Sequence, residues 1–114
     1  MLHIDFHAYG QLVLYPWNHS DQPTDDQARY AALGDRLASA IYATHQTQYR
    51  QMRGVELYTS AGTMSDGMYG EAGAVSFTIE LRPRGGTGFV LPPDQIRPTC
   101  NEGLAAELAW RAPL

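Results

Sequence analysis

The stretch Val75-Ser76-Phe77-Thr78-Ile79-Glu80-Leu81-Arg82 decides the fold, because apolar and polar residues alternate along its whole length. This period of two is typical of a β-strand with one dry face. The stretch is rich in β-branched and aromatic residues, and Pro83 ends it. It therefore predicts a strand that carries the Glu80 carboxylate on its polar face to its end, where open α/β sheets gather functional groups. The alternative is a solvated glutamate at a strand tip.

Length, charge and composition exclude several classes of protein. The chain has 114 residues, 44% of them hydrophobic, and a formal net charge of -4, which fits at most one globular domain. It has neither a basic run nor a long apolar segment, so we expect no nucleic-acid partner and no membrane span. Cys100 is the single cysteine and cannot form an intrachain disulfide. The N-terminus lacks the basic head of a signal peptide.

The first half of the chain predicts two strands and a helix. Residues 2–7 alternate like the central strand, and residues 11–15 predict a second strand that stops at Pro16. Thr24 and Gln27 have the spacing of a capping box, which predicts the start of a helix. The apolar stripe of that helix is predicted to comprise Ala28, Leu33, Leu37, Ala40 and Ile41.

The second half predicts a short strand, the central strand and a last helix. Residues 55–58 follow a glycine and favour a short strand, and residues 66–69 favour one helical turn within a glycine-rich loop. Thr99 and Glu102 form a second candidate capping box, so a helix is expected to begin there and to end at Pro113. Its inward side chains are predicted to be Leu104, Ala105, Leu108 and Ala109.

Three groups of motifs then point to one family. The first is Asp5-Phe6-His7-Ala8-Tyr9-Gly10-Gln11-Leu12-Val13-Leu14-Tyr15-Pro16-Trp17. The second runs from Tyr58 through Ser60-Ala61-Gly62 and Asp66 to the central strand, and the third is Gly88-Phe89-Val90-Leu91-Pro92-Pro93 with Ile96-Arg97-Pro98-Thr99. Together they resemble the zinc metallocarboxypeptidases of the carboxypeptidase A/B type, which are hydrolases. The resemblance covers nearly the whole chain, with a small difference in length around residues 49–57.

This resemblance implies the catalytic roles. His7 resembles the third zinc ligand of the family, and Glu80 resembles the general base that activates the zinc-bound water. Tyr58 resembles the mobile tyrosine that closes over the terminal carboxylate of a peptide substrate. Catalytic zinc needs three protein ligands and an open position, and a carboxylate beside it can move a proton from water to the leaving amine. A histidine and a glutamate at the ends of neighbouring strands can serve one such site.

The resemblance also implies the substrate-binding residues. Tyr9 and Leu14 resemble residues that line the cleft, and Ser65 falls at the floor of the specificity pocket. Asp66 and Thr78 match positions in the wall of that pocket. In the family, an aliphatic residue at the floor accompanies apolar C-terminal side chains and an aspartate accompanies Lys or Arg. Serine is neither, so a neutral or broad preference is expected.

One half of the family's site has no counterpart here. The other two zinc ligands belong to a His-x-x-Glu motif, and no histidine of this chain has a glutamate three residues later. Residues 1–114 therefore resemble the C-terminal portion of a peptidase domain, and we expect the isolated chain to be inactive. The alternative is a non-catalytic, truncated or degenerate domain that only binds or packs. The family's members are mostly secreted or periplasmic, and apart from this resemblance nothing in the sequence indicates a compartment.

The family's architecture implies the fold. It is α/β, with two main helices and a mixed, mostly parallel half-sheet in the strand order 2–7, 75–82, 11–15 and about 54–57. The strand at residues 2–7 would lie at the edge of this half-sheet. An apolar edge strand invites pairing with another chain, so we expect a homo-oligomer, in its simplest form a two-fold dimer through residues 2–7.

Overall fold

The computed structural model describes residues 1–112, which form one four-stranded sheet and four α-helices. The end predicted for the last helix at Pro113 falls outside the described residues. The elements in chain order are β1 (Leu2–Ala8), β2 (Leu12–Tyr15), α1 (Gln27–His45), β3 (Arg50–Arg53), α2 (Gly54–Leu57), α3 (Met64–Gly70), β4 (Val75–Leu81) and α4 (Ile96–Arg111). A short 3-10 turn, Pro93–Gln95, precedes α4.

The sheet has the predicted topology. Its strand order is β1-β4-β2-β3, with β1 parallel to β4, β2 parallel to β3 and β2 antiparallel to β4. The alternating stretch is thus an inner strand, and β1 is an edge strand, as expected. The α/β class and the mixed, mostly parallel sheet are confirmed.

The hydrophobic core lies between one face of this sheet and the two long helices. Phe77 of β4 is fully buried, and its ring packs edge-on against Tyr30 of α1 and Trp110 of α4, with ring centroids 5.3 Å apart in each pair. Aromatic rings bury large apolar areas and favour this edge-on geometry. The core therefore fixes β4 from behind and leaves its other face for polar residues.

The polar face of β4 is also covered rather than solvated. Ser76 is fully buried, and the side chain of Glu80 is only 16% exposed. The segment from α2 to α3 lies over part of this face, because Gly54, Leu57, Thr63 and Met64 line the same cavity as Thr78 and Glu80. A solvated glutamate at the strand tip is therefore wrong for Glu80.

The prediction of a strand at residues 55–58 was wrong. The edge strand β3 is Arg50–Arg53, and the chain turns at once into α2, which begins at Gly54. Glu56 accepts a hydrogen bond from the backbone N–H of Arg53 at 2.8 Å, which favours the helical turn over an extended segment. β3 has the sequence Arg-Gln-Met-Arg, whose single apolar residue gives no alternating pattern.

Both predicted capping boxes were wrong. The cap residue of α1 is Asp26, and Thr24 instead closes a turn in which its carbonyl accepts from the N–H of Gln27. The last helix begins earlier than expected, at Ile96, so Thr99 lies inside it and donates to a carbonyl of the preceding turn. Polar residues at capping spacing can equally occupy the inner face of a helix.

The predicted inner faces of the helices were only partly right. In α1, Leu33, Leu37 and Ile41 are buried as expected, but Ala28 is exposed. Tyr30 and Gly34 are buried without having been predicted.

In α4 the prediction was only partly right, since Ala109 packs against the core but Leu104 and Leu108 are exposed. The inward face of α4 carries a charged residue, Glu102, which is fully buried and paired with Arg82 at the end of β4. This ion pair lies on the same side of the helix as Ala106 and Trp110, which belong to the core. The inward residues are Thr99, Glu102, Gly103, Ala106 and Trp110. No helix within residues 1–112 is long and apolar enough to cross a membrane.

Candidate functional site

The structure brings His7 and Glu80 together. They are register partners in the parallel pair of β1 and β4, so both side chains emerge on the same face near the ends of their strands. Nδ1 of His7 lies 3.8 Å from Oε1 of Glu80. A parallel pair places equivalent ends side by side, which is how residues so distant in sequence come to share one spot.

Asp5 fixes the ring of His7 from the other side. Its Oδ2 accepts a hydrogen bond from Nε2 of His7 at 2.8 Å. Asp5 and His7 are two residues apart on one strand and therefore share a face. Because the carboxylate binds Nε2, the unprotonated Nδ1 is the nitrogen directed at Glu80. The sequence reasoning did not select Asp5, although the spacing of two residues was a usable signal.

Glu80 is held in an environment that disfavours its charge. Burial raises the pKa of Glu80; His7 opposes the shift, and the nearby charge of Asp5 adds to it. Its Oε2 is enclosed and receives no hydrogen bond from any residue in the described part of the chain. A carboxylate with a raised pKa and a free oxygen suits proton transfer near neutral pH.

A cavity of about 310 Å³ opens beside this pair. Five of the residues selected from the sequence line it, namely His7, Leu14, Tyr58, Thr78 and Glu80. Tyr58 is 66% exposed, which places it at the rim. Concave sites of this kind, with convergent polar groups and a perturbed carboxyl pKa, are typical of ligand-binding sites.

Ser65 and Asp66 do not line the cavity; they lie behind Asn18, which does. Nδ2 of Asn18 donates to Oγ of Ser65 at 3.0 Å and to Oδ1 of Asp66 at 2.8 Å. Asp66 also accepts hydrogen bonds from the backbone N–H groups of Asn18 and His19 and from Nδ1 of His19. Burial by itself raises the pKa of Asp66, but the hydrogen bonds from His19 and Asn18 outweigh it and hold the pKa below its usual value.

Tyr9 lies apart from the cavity. It follows β1, and its ring packs edge-on against the exposed Phe89 with centroids 4.9 Å apart. The two rings form a separate aromatic surface beyond the ends of the strands. Contact of Tyr9 with a substrate stays a prediction.

Comparison with known proteins identifies the family. The family model described as "Zinc carboxypeptidase" matches residues 1–106. The chain belongs to the zinc carboxypeptidase family.

Individual members are similar over most of this chain. Dog (Canis lupus familiaris) carboxypeptidase B is 36% identical over 105 residues, which is 91% of this chain and 25% of that protein. Rat (Rattus norvegicus) carboxypeptidase A1 is 36% identical over 100 residues, covering 87% of this chain and 24% of the relative. The chain thus spans about a quarter of the length of these relatives.

Solved structures agree with the sequence comparison. Bovine thrombin-activatable fibrinolysis inhibitor, solved in complex with tick carboxypeptidase inhibitor, superposes with a TM-score of 0.89 at 31% identity. The match covers 96% of this chain and 38% of that one. The half-sheet with its two long helices is therefore the zinc carboxypeptidase fold.

The donor atoms fit one side of the zinc site that the family implies. Within residues 1–112, no group of three His, Cys, Asp or Glu side chains is placed to hold a metal ion. His7 nonetheless offers Nδ1, with its other nitrogen hydrogen-bonded to a carboxylate as is usual for a histidine ligand. The enclosed Oε2 of Glu80, which has no hydrogen-bond partner among residues 1–112, belongs to the register partner of His7. The described residues thus fit part of such a site, with His7 as a candidate ligand and Glu80 as a candidate base.

The sequence reasoning missed Asn18 and Gly54, which line the same cavity. Asn18 sits in a polar segment between β2 and α1, where its composition is that of any surface loop. Gly54 entered the sequence analysis only as the glycine before a predicted short strand, whereas its missing side chain leaves room for the Asn18 amide. No periodic pattern marks either residue.

Proposed function

We propose that this chain is the C-terminal portion of a metallocarboxypeptidase domain that removes C-terminal residues from peptides. The observation that carries the proposal is the facing pair of His7 and Glu80 at the mouth of a lined cavity. In the proposed reaction Glu80 takes a proton from water and passes it to the leaving amine, for which its raised pKa is suited. Tyr58, at the rim, covers the free carboxylate of the peptide, and Leu14 and Thr78 contact its last side chain.

His7 would hold Zn²⁺ through Nδ1 in the proposed site. Zinc, when bound, supplies a Lewis acid that polarises the scissile carbonyl and makes water more acidic. Asp5 keeps the ring of His7 in the orientation that this requires. One imidazole cannot bind zinc tightly, since catalytic sites use three protein ligands. We therefore propose that the remaining ligands lie outside this chain and that the isolated chain does not hydrolyse peptides.

A chimera tests the proposed function. The part of dog carboxypeptidase B that precedes the position aligned with Met1 is joined to this chain, and hydrolysis of peptides with free and with blocked C-termini is measured. We expect cleavage of the free peptides only, abolished by a chelator. The 114-residue chain alone, with added zinc, should show no such activity.

Two variants of the chimera make the test specific. Glu80→Gln should lower kcat by about 100-fold or more, the usual contribution of a positioned general base. Glu71→Gln is the matched control, because Glu71 is exposed and does not line the cavity. A folded, zinc-loaded chimera that is inactive, or in which Glu80→Gln retains full activity, would refute the proposal.

A second candidate function is self-association without catalysis. β1 is the outermost strand, and its outer edge has no partner strand among residues 1–112. Leu2 and Phe6 on this strand are 49% and 42% exposed. We propose that two copies pair through residues 2–7 about a two-fold axis.

Light scattering tests this second proposal. The wild-type chain should have the mass of a dimer, and Leu2→Lys should shift it to a monomer because a charge on an edge strand opposes pairing. Val90→Lys is the control, since Val90 is a similarly exposed apolar residue outside β1. A wild-type monomer at millimolar concentration would contradict the proposal.

A further inference from the structure

The orientation of the Asn18 side-chain amide is fixed by its neighbours. An ionised carboxylate only accepts hydrogen bonds, and the hydrogen bonds made to Asp66 keep it ionised at neutral pH. The NH₂ group of Asn18 must therefore face Asp66, at 2.8 Å, and its second hydrogen goes to Oγ of Ser65 at 3.0 Å. Both donors of the amide are used.

The oxygen of that amide consequently points the other way. Oδ1 of Asn18 lies against Gly54, where an added Cβ would approach it to 1.7 Å. Both residues line the cavity beside His7 and Glu80. No donor within residues 1–112 makes a hydrogen bond to this oxygen. The cavity is thus presented with a neutral acceptor that has no partner in the protein.

The carboxylate of Asp66, which lies behind the Asn18 amide, already accepts hydrogen bonds from several groups. Asp66 accepts from two backbone N–H groups, from the Asn18 amide and from the imidazole of His19 at 2.7 Å. A ligand in the cavity meets Oδ1 of Asn18 and not the carboxylate oxygens. Leu14 and Thr78 also line the cavity, which Asp5, His7 and Glu80 line as well.

We propose that Asn18 determines specificity, and that the cavity takes C-terminal residues whose side chains donate a hydrogen bond without carrying a charge, above all the amides of glutamine and asparagine. This inference rests on the proposed function, since it makes the cavity the pocket for the C-terminal side chain. An apolar side chain would leave Oδ1 buried and unpaired. A carboxylate has no hydrogen to donate to Oδ1, and an ammonium placed at Asn18 would be desolvated beside carboxylate oxygens of Asp66 that are already engaged.

Direct binding to this chain tests the inference. The ¹⁵N-labelled chain, treated with chelator, is titrated by NMR with four probes that share one free carboxylate: the Nα-acetyl derivatives of Gln, Leu, Glu and Lys. The Gln probe should bind about three- to tenfold more tightly than the Leu probe, the range expected for one neutral hydrogen bond. Its binding should shift the side-chain NH₂ signals of Asn18 and the amide of Gly54.

An exchange of two residues sharpens the test. In the double variant Asn18→Asp with Asp66→Asn, residue 66 can donate to residue 18, so the hydrogen bond between them is kept and the net charge is unchanged. The charge now faces the cavity, and the preferred probe should change from Gln to Lys. Ser39→Ala is the control, because Ser39 is exposed on α1 and does not line the cavity, so the Gln preference should stay intact.

The outcomes separate this inference from the proposed function. Binding of the Leu, Glu or Lys probe to the wild-type chain as tightly as the Gln probe overturns the assignment of Asn18 and leaves a carboxypeptidase pocket in place. If none of the four probes shifts the signals of the cavity in the folded chain, both the assignment and the pocket are refuted. The comparison of the four probes on the wild-type chain decides the matter even if the double variant does not fold.

Discussion

Nδ1 of His7 and Oε1 of Glu80 lie 3.8 Å apart across the parallel pair of β1 and β4. The imidazole is held from behind by Asp5, and the carboxylate is enclosed with one oxygen unpaired. Enclosing an unpaired carboxylate oxygen opposes folding. The enclosed carboxylate of Glu80 therefore lowers the stability of the chain, and this leads to the first prediction.

Glu80→Gln should stabilise the chain at neutral pH. Since the pKa of Glu80 is raised in the folded state, that state binds the proton more tightly than the unfolded state does. Stability therefore falls as pH rises from about 4.5, the unfolded pKa, through the folded pKa, and stays lower above it. We expect urea unfolding to show a gain of about 1 kcal/mol at pH 7 and none at pH 4.

The matched control is again Glu71→Gln, which changes an exposed carboxylate and should alter the free energy of unfolding by less than about 0.5 kcal/mol. A loss of stability at pH 7 on Glu80→Gln would show that the carboxylate has a partner in solution.

Asp5→Ala should release the ring of His7. In the wild-type chain Nε2 carries the proton that Asp5 accepts, and Nδ1 is free. Ring ¹⁵N chemical shifts at a pH where the ring is neutral should show this single tautomer, and the variant should show a mixture. His3 serves as an internal reference, because its ring contacts Ser76 and not Asp5. An unchanged His7 tautomer in the variant would mean that Asp5 does not position it.

The strands that the sequence predicted best are those in which alternation and burial coincide. Residues 2–7 and 75–82 alternate, and they form β1 and β4. Periodicity alone could not give their register, so the meeting of His7 and Glu80 was expected only through the family resemblance. β3 has one apolar residue in four, and no local pattern distinguishes it from a loop.

Buried polar residues escaped the sequence reasoning for one physical reason. Glu102 and Asn18 are buried because a partner distant in sequence satisfies them, Arg82 in one case and Asp66 in the other. Their types are typical of surfaces and loops when read locally. The resemblance placed Ser65 at the floor of the pocket, and only the structure shows Asn18 between it and the cavity.

Asp66→Ala should destabilise the chain strongly at neutral pH. The change removes the acceptor of hydrogen bonds from Asn18 and His19 and leaves buried donors unpaired. We expect a loss of about 3 kcal/mol in the free energy of unfolding by urea at pH 7. Asp25→Ala, an exposed control, should change it by less than about 0.5 kcal/mol.

The effect of Asp66 should also depend on pH. Its pKa is lower in the folded than in the unfolded state, so the unfolded state binds the proton more tightly. The stabilisation is therefore complete above about pH 3.8, the unfolded value, and is lost as pH falls through the folded pKa. The free energies of unfolding of wild type and Asp66→Ala should converge as the pH falls below the folded pKa of Asp66. Parallel plots of the two free energies against pH would contradict the prediction.

Arg82→Met should lower the free energy of unfolding more than removal of the whole ion pair does. Glu102 is fully buried, and Arg82 binds both of its carboxylate oxygens. Burial tends to raise the pKa of Glu102, but the hydrogen bonds and charge of Arg82 outweigh it and hold the pKa below its usual value. Without Arg82 the buried carboxylate loses its guanidinium partner and keeps the Tyr49 hydroxyl and the His45 ring at 3.6 Å, and we expect a loss of about 3–5 kcal/mol.

The double variant Arg82→Met with Glu102→Leu tests this account of the ion pair. It should be more stable than Arg82→Met alone, because no buried charge remains. Tyr49 and Thr47 also bond to this pair, so part of the loss persists in the double variant. A double-mutant cycle by chemical denaturation measures the coupling energy. Additive losses would show that Glu102 is neutral or solvated.

Gly54→Ala should disturb the cavity through Asn18. A Cβ on Gly54 would lie 1.7 Å from Oδ1 of Asn18, and the Asn18 amide cannot retreat because Asp66 and Ser65 hold it. Overpacking of this kind costs about 1–3 kcal/mol, and the NH₂ signals of Asn18 should shift. Gly67→Ala is the matched control, since nothing lies within 4 Å of its added Cβ and it sits in α3, where alanine favours the helix by about 1 kcal/mol. Thermal unfolding should therefore give Gly54→Ala a lower melting temperature than the wild-type chain and Gly67→Ala a higher one. Equal melting temperatures would mean that Asn18 yields to the added methyl group and that its amide is not fixed from behind.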